Sequence, residues 1–362
     1  MSDASAPAKR TWKDFLPAFP ARSAESSPYA RALCEGLLAG ALVFILLVVW
    51  MFLRSGDTAR SLQPLVPGKV AAIEEPAVKV TPQDPDAPSE ALANAKNIHA
   101  LPPAPIEGLT ESVDGKILPV SRIQDDMTPF QAYKKPFTAI PGRALVSIVV
   151  LDFGLSDKIS TSMLGNLPPD VSLVLNPYGT DLTKWASAAR AYGHEFWISL
   201  PMQAKDNDTD TGPYSILVNA SLEQNRKNLL NILGSAVGYA GVVTQQNHAL
   251  NSTDAVVAPV LKQILGRGLA IAESNPDIAA LGLPAAMQEG HPYVQNNFWI
   301  DADLRPDQID RVLGEIELQA TRKGKAVAFL HPYPVVVKKV QEWMQDVEKR
   351  GLQIAPLSAM AQ

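Results

Sequence analysis

Several positions from Asp152 onward carry groups able to bind a metal, move a proton or hydrogen-bond a sugar. Each stands immediately after an apolar run: Asp152, Asn176, Met202-Gln203, Asn247-His248, Glu273-Ser274, Asp301 with Asp303, and His331. Loops are polar in any case, and Asp and Asn are favoured helix N-caps after strands, so part of this pattern follows from local structure. Two of the five histidines falling at such ends is harder to ascribe to capping.

The runs that carry these groups are rich in Val, Ile and Leu and alternate with amphipathic stretches, the pattern of repeated β-α units and a mostly parallel sheet. Seven strands are predicted: Leu145–Leu151, Val171–Leu175, Glu195–Leu200, Tyr239–Thr244, Leu269–Ala272, Phe298–Ile300 and Ala326–Leu330. Helical patterns between them include Leu222–Leu233, Pro259–Leu265, Asp307–Arg322 and Val337–Arg350. Strand ends recur about every 24 to 30 residues, with one interval near 45, which is the step of a β/α barrel. The expected fold is α/β, a distorted (β/α)7-type barrel over residues 142–362, with an open doubly wound sheet as the alternative. In a parallel barrel all C-terminal strand ends share one mouth, so residues distant in sequence would meet there.

The N-terminal part reads differently. Gly36 to Leu53 contains no charged residue over 18 positions and at 1.5 Å per residue nearly spans a hydrocarbon core. A buried core helix is disfavoured because Val, Ile and Leu cover every face. Lys9, Arg10, Lys13, Arg22 and Arg31 precede it, against Arg54, Arg60 and Lys69 in a similar length after it. The positive-inside tendency therefore predicts a cytoplasmic tail (1–32), an uncleaved transmembrane anchor (33–54) and a domain outside a bacterial inner membrane, in the periplasm. Thirteen of the 30 prolines fall between Pro64 and Pro141. Residues 55–116 are accordingly read as a disordered Pro-rich linker. Residues 117–141 are read as a strap, with Ile117, Leu118, Phe130, Tyr133 and Phe137 packing on the barrel.

Composition excludes several classes. The chain has 362 residues, 46% of them hydrophobic, with net charge −5 and one cysteine. It is too apolar for wholesale disorder, and Cys34 has no partner for an intrachain disulfide. Mild acidity gives no footprint for nucleic acid, and no phosphate-cradling glycine pattern or Gly-x-Ser-x-Gly elbow points to nucleotide or a serine nucleophile.

Taken in order, Val149-Val150-Leu151-Asp152-Phe153-Gly154, Pro177-Tyr178, Gly193-His194-Glu195 with Leu200-Pro201-Met202, Gly212-Pro213, Asn247-His248 and His331-Pro332 resemble the divergent polysaccharide deacetylase family. This is a bacterial envelope branch of the chitooligosaccharide-deacetylase-like barrels. The resemblance implies a metal-assisted hydrolase that cleaves the C–N amide bond of N-acetylated glycans. In such enzymes a divalent cation such as zinc polarises the acetamide and activates water, a carboxylate acts as base and a histidine protonates the leaving amine. Carried over, the metal ligands are Asp152 and His248, and the late acid is His331. Asn176, Tyr178, Asn247 and Ser274 become candidate sugar contacts. Two positions depart from the pattern: the general base falls on Leu151, and the second metal histidine on Ser252. Glu273 or Asp301, from neighbouring strands, are the candidates to replace the base or the missing ligand.

Among the remaining motifs, His194-Glu195 opens the third strand at the opposite rim and is read as a structural hydrogen-bonding pair. Asp206 to Asp210 has calcium-loop spacing, but Gly212 comes one place late and Leu217 stands where a bidentate Glu belongs, so it is read as a solvated loop near the mouth. Trp185, Trp197 and Trp299 are read as core. Three functions of different kind follow: a tethered periplasmic de-N-acetylase, a degenerate barrel that binds glycan without cutting it, and a structural envelope protein.

Overall fold

The computed structural model describes residues 40–50, 99–206, 209–245, 248–250, 255–275 and 290–361. The chain divides into two compact units, Met1–Pro82 and Gln83–Gln362. In the first, residues 40–50 are helical and the large apolar side chains from Leu42 to Trp50 are exposed. The rest of the expected anchor, with Cys34, lies outside the described residues. Among those described, no helix is long and apolar enough to cross a membrane.

In the second unit, residues 99–116, the end of the expected linker, are ordered. The Leu101 N–H donates to the Arg190 carbonyl at 2.8 Å, Leu109 is fully buried, and the Arg190 guanidinium donates to the carbonyls of Pro102, Tyr133 and Gly238. Strands β1 (Thr110–Val113) and β2 (Lys116–Pro119) form a hairpin whose turn, Asp114-Gly115, has positive φ at both residues, as a tight two-residue turn requires. The strap holds the short helix α1 (Pro129–Tyr133), started by a capping box between Thr128 and Gln131. Leu118, Phe130 and Tyr133 are buried as expected, whereas Ile117 on the opposite face of β2 is exposed.

The domain is α/β, built on a curled parallel sheet. Its strands are β3 (Ala144–Phe153), β4 (Ser172–Leu175), β5 (Phe196–Leu200), β6 (Gly241–Thr244), β7 (Ala270–Glu273), β8 (Tyr293–Gln295), β9 (Phe298–Trp299), β10 (Lys325–Leu330) and β11 (Leu352–Ile354). The order is β8-β7-β6-β5-β4-β3-β10-β9, with β11 paired to the start of β3. All seven predicted strands are present. The two additions, β8 and β11, are three-residue segments too short to show periodicity. The described sheet is an open path that ends at β8 and β9 instead of a ring closed by hydrogen bonds. The helix Leu222–Leu233 keeps its predicted bounds, and the last predicted helix stops at Met344. The helices Asp157–Asn166 and Leu182–Ala191 complete the crossovers after β3 and β4.

Alternation along β3 sorts the core into two layers. Val146, Ile148 and Val150 join the large cluster shared with the helices, while Val149 joins an inner cluster with Val174, Trp197, Val243, Phe329 and Trp299. Phe130 from the strap and Leu357 and Met360 from the C-terminus join this inner cluster.

Glu195 connects these segments. Fully buried, it accepts from the Trp197 indole at 2.8 Å and the Ser358 N–H at 3.0 Å through Oε1, and from the Lys135 N–H at 2.8 Å through Oε2. Beside it, His194 Nδ1 lies 2.9 Å from the Val171 carbonyl, and burial pushes that imidazole down to about 4. The pair is structural, as its place at the N-terminal rim suggests. Glu195→Ala strands the buried Trp197 and Ser358 donors and the half-buried Lys135 N–H, and is expected to destabilise the domain by about 3–5 kcal/mol, with Glu195→Gln losing less, as read from urea unfolding midpoints.

Candidate functional site

The site begins with an irregularity in β3. Pairing with β4 shifts register between Val150 and Phe153, and Asp152 adopts a left-handed backbone, φ 57°. In a regular strand Leu151 and Asp152 would face opposite sides; here both line one cavity. The turn continues through Gly154 at φ 83°, where a Cβ would come within 2.8 Å of Leu175 Cδ1, so glycine is needed there.

The cavity, about 370 Å³, lies at the C-terminal ends of the central strands. Besides Leu151 and Asp152 it is lined by Asn176, Tyr178, Ser199, Asp210, Gly212, Thr244, Gln245 and His331, among others. Asn176 Nδ2 donates to Asp152 Oδ1 at 2.9 Å, and Asn176 Oδ1 accepts from the Tyr178 N–H at 3.0 Å. One amide thus orients both the carboxylate and the tyrosine loop. Tyr178 stacks on Tyr214 with centroids 6.2 Å apart, and its phenol oxygen accepts from the Tyr214 N–H. Gly212 fits against the Tyr178 ring so closely that a Cβ would lie 2.4 Å from Cζ.

On the neighbouring strand, His331 is held from behind. Its backbone N–H and its Nδ1 both donate to Asp301 Oδ2, at 3.1 and 2.7 Å, and its ring stacks on Trp299 with centroids 5.4 Å apart. This fixes Nδ1 as the donor and leaves Nε2 to work at the cavity. Burial alone would lower the imidazole. The hydrogen bond to Asp301 and the charges of Asp301 and Asp152 outweigh it, so His331 titrates above its ordinary 6.5.

The remaining predicted residues are elsewhere. Glu273, expected at the mouth as base or ligand, is fully buried outside the cavity lining; its Oε1 lies 3.2 Å from His248 Nε2. His248 Nδ1 donates to the Leu250 carbonyl at 2.9 Å. Both ring nitrogens of His248 are therefore engaged, and the expectation that it would share a metal with Asp152 is not met. Ser274, expected as a sugar contact, is also fully buried, its N–H on Thr244 Oγ1 and its carbonyl on Asn296. Asn247 and Ser252 lie outside the described residues. The structure thus brings Asp152, Asn176, Tyr178 and His331 to one cavity with Asp301 behind, and gathers Glu273, His248 and Ser274 in a buried network beside it. Sequence reasoning did not single out Ser199, Thr244 or Gln245. Ser199 was legible in principle, two places after the inward Trp197.

A catalytic divalent ion normally takes three protein ligands. Here Asp152 shares one oxygen with Asn176, His248 is engaged, and position 252 is serine. Among the described residues no group of three His, Cys, Asp or Glu is arranged to hold a metal. Among the described residues the donor set does not fit a resident metal. What the site does offer is a carboxylate, an oriented imidazole and several hydroxyl and amide groups around a space of sugar size.

Because the His331 pKa is raised on folding, its protonated ring stabilises the native state fully below about pH 6.5, and this contribution fades as pH rises through the folded value. In Asp301→Asn burial persists while the partner charge is gone. The His331 pKa is then expected to fall below that of the unsubstituted chain, read from its imidazole resonances in an NMR titration.

Residues 148–361 match the family described as divergent polysaccharide deacetylase. Among solved structures, an uncharacterized protein of Agrobacterium tumefaciens is 26% identical with a TM-score of 0.63, over 67% of this chain and 99% of that one. The catalytic domain of a peptidoglycan N-acetylglucosamine deacetylase from Eubacterium rectale is 13% identical, with a TM-score of 0.39, over 61% of this chain and 92% of that one. A CE4 family pseudoenzyme from Bacillus anthracis is 10% identical, with a TM-score of 0.35, over 61% of this chain and 66% of that one. No curated protein matches. The match spans more than half of the 362 residues, and the chain belongs to the divergent polysaccharide deacetylase family.

Proposed function

We propose that this protein is a membrane-tethered envelope protein whose cleft binds a hexosamine-containing glycan, and that it does so without metal-assisted deacetylation. One observation carries the reading: Asp152 and His331 face a hydrogen-bonding cavity, while His248, the imidazole of the expected metal site, is engaged by Glu273 and Leu250. Leu151, lining the cavity where the family's base would stand, cannot accept a proton. His331, oriented by Asp301 through Nδ1, presents Nε2 to the sugar, accepting from a hydroxyl as the neutral ring and donating to a hydroxyl or acetamide oxygen when protonated, and the Tyr178 side chain offers an apolar surface for a pyranose ring.

The test is calorimetric titration of the full-length chain with glucosamine-type oligosaccharides, with and without chelator, beside an acetate-release assay in added Zn²⁺ or Co²⁺. Binding is expected to survive chelation, to weaken at least about tenfold in Asp152→Ala, and to release no acetate. Metal-dependent acetate release that is lost in Asp152→Ala would restore the enzyme reading, and absence of any glycan binding would end this one.

The uncharged run from Gly36 to Leu53 and the Lys/Arg excess before it support an anchor in a bacterial inner membrane, with residues 1–32 cytoplasmic and the domain periplasmic. In sealed spheroplasts, protease added outside is expected to remove the domain and spare an N-terminal tag.

A further inference from the structure

The charge of the cleft narrows the glycan further. Its lining includes two carboxylates, Asp152 and Asp210, and no lysine or arginine. Asp152 Oδ1 is taken by Asn176, and Asp210 Oδ1 accepts the Gly212 N–H at 2.8 Å; both partners are neutral, so neither negative charge is cancelled. Among the described residues no ion pair includes either carboxylate. Among the described residues the one basic side chain lining the space is His331, and any charge on its ring is balanced from behind by Asp301. The cleft therefore keeps two uncompensated negative charges within a partly enclosed volume of about 370 Å³. Asp152 is half-buried and Asp210 stands on the exposed loop at the rim; together they repel an anionic sugar and attract a cationic one.

An aromatic surface stands beside these charges. Tyr178 lines the cavity and stacks on Tyr214, which is partly exposed, and Gly212 and Asp210 belong to the same loop. A pyranose ring against the Tyr178 face would bring its substituents within reach of both carboxylates. A neutral acetamide could use only their acceptor capacity, whereas an ammonium supplies three N–H donors together with the opposite charge.

We infer that the cleft selects hexosamine units whose amine is free and protonated, so that the protein recognises glycan already stripped of its N-acyl groups. This rests on the glycan-binding reading above and names the state of the sugar it takes. In reaction order, an amide hydrolysis elsewhere must supply its ligand.

The experiment titrates the full-length chain, at a pH where the amine is protonated, with three oligosaccharides of equal length: fully de-N-acetylated glucosamine, its N-acetylated counterpart, and a uronate. The free-amine oligomer is expected to bind at least about tenfold more tightly than the acetylated one, with no measurable binding of the uronate. The preference should shrink in Asp152→Asn, which keeps the Asn176 hydrogen bond, and in Asp210→Asn on its exposed loop. Equal or tighter binding of the acetylated oligomer overturns the charge inference and leaves the glycan reading standing. Failure of all three to bind removes both. A preference that persists in the doubly substituted chain would mark it as general attraction to an acidic protein, which also overturns the inference.

Discussion

The left-handed backbone at Asp152 is the constraint from which the rest of the site follows. A β-strand presents alternate residues to opposite faces, so a carboxylate next to an inward leucine would ordinarily point at the helices. The bulge between Val150 and Phe153 breaks that rule at the last turn of the central strand. A non-glycine residue held at positive φ carries a conformational cost, and the surroundings that stabilise it here are visible: the Asn176 hydrogen bond on the side chain, and a following turn in which Gly154 fits under Leu175.

Two polar networks divide the labour. At the mouth, Asp301, His331 and Trp299 form an oriented imidazole, and Asp152, Asn176 and Tyr178 an oriented carboxylate with an aromatic wall. Beside it, His248 and Glu273 bind each other, fully buried. The same residue types thus serve opposite ends according to burial. An imidazole whose two nitrogens are both hydrogen-bonded within the protein holds loops in place, whereas one backed on a single nitrogen keeps the other for a ligand.

Much of this architecture was legible in the residues. Val/Ile/Leu runs at a regular interval marked the parallel strands because a strand covered on both faces has little room for polar residues. The polar groups after those runs marked the mouth. What the pattern could not convey was direction: His248, Glu273 and Ser274 occupy strand ends as Asp152 and His331 do, yet only the latter two face the cavity, and that difference arises from backbone torsion and loop path. Short strands such as β8 and β11 escaped notice for want of length, and the ordered stretch 99–116 because proline-rich sequence also packs well when it finds a partner, here Arg190, whose guanidinium holds the Pro102 carbonyl and whose own carbonyl holds the Leu101 N–H.

The place of β3 in the sheet has a bearing on how the domain comes into being. The first strand of the sheet to leave the ribosome is an interior one, and two of its three neighbours, β10 and β11, are among the last segments synthesised. Glu195 likewise waits for Ser358. Hydrogen bonding across some 180 residues must therefore be deferred until nearly the whole chain is available, which places the domain among slow, high-contact-order folders and leaves an apolar strand edge in need of protection while synthesis proceeds.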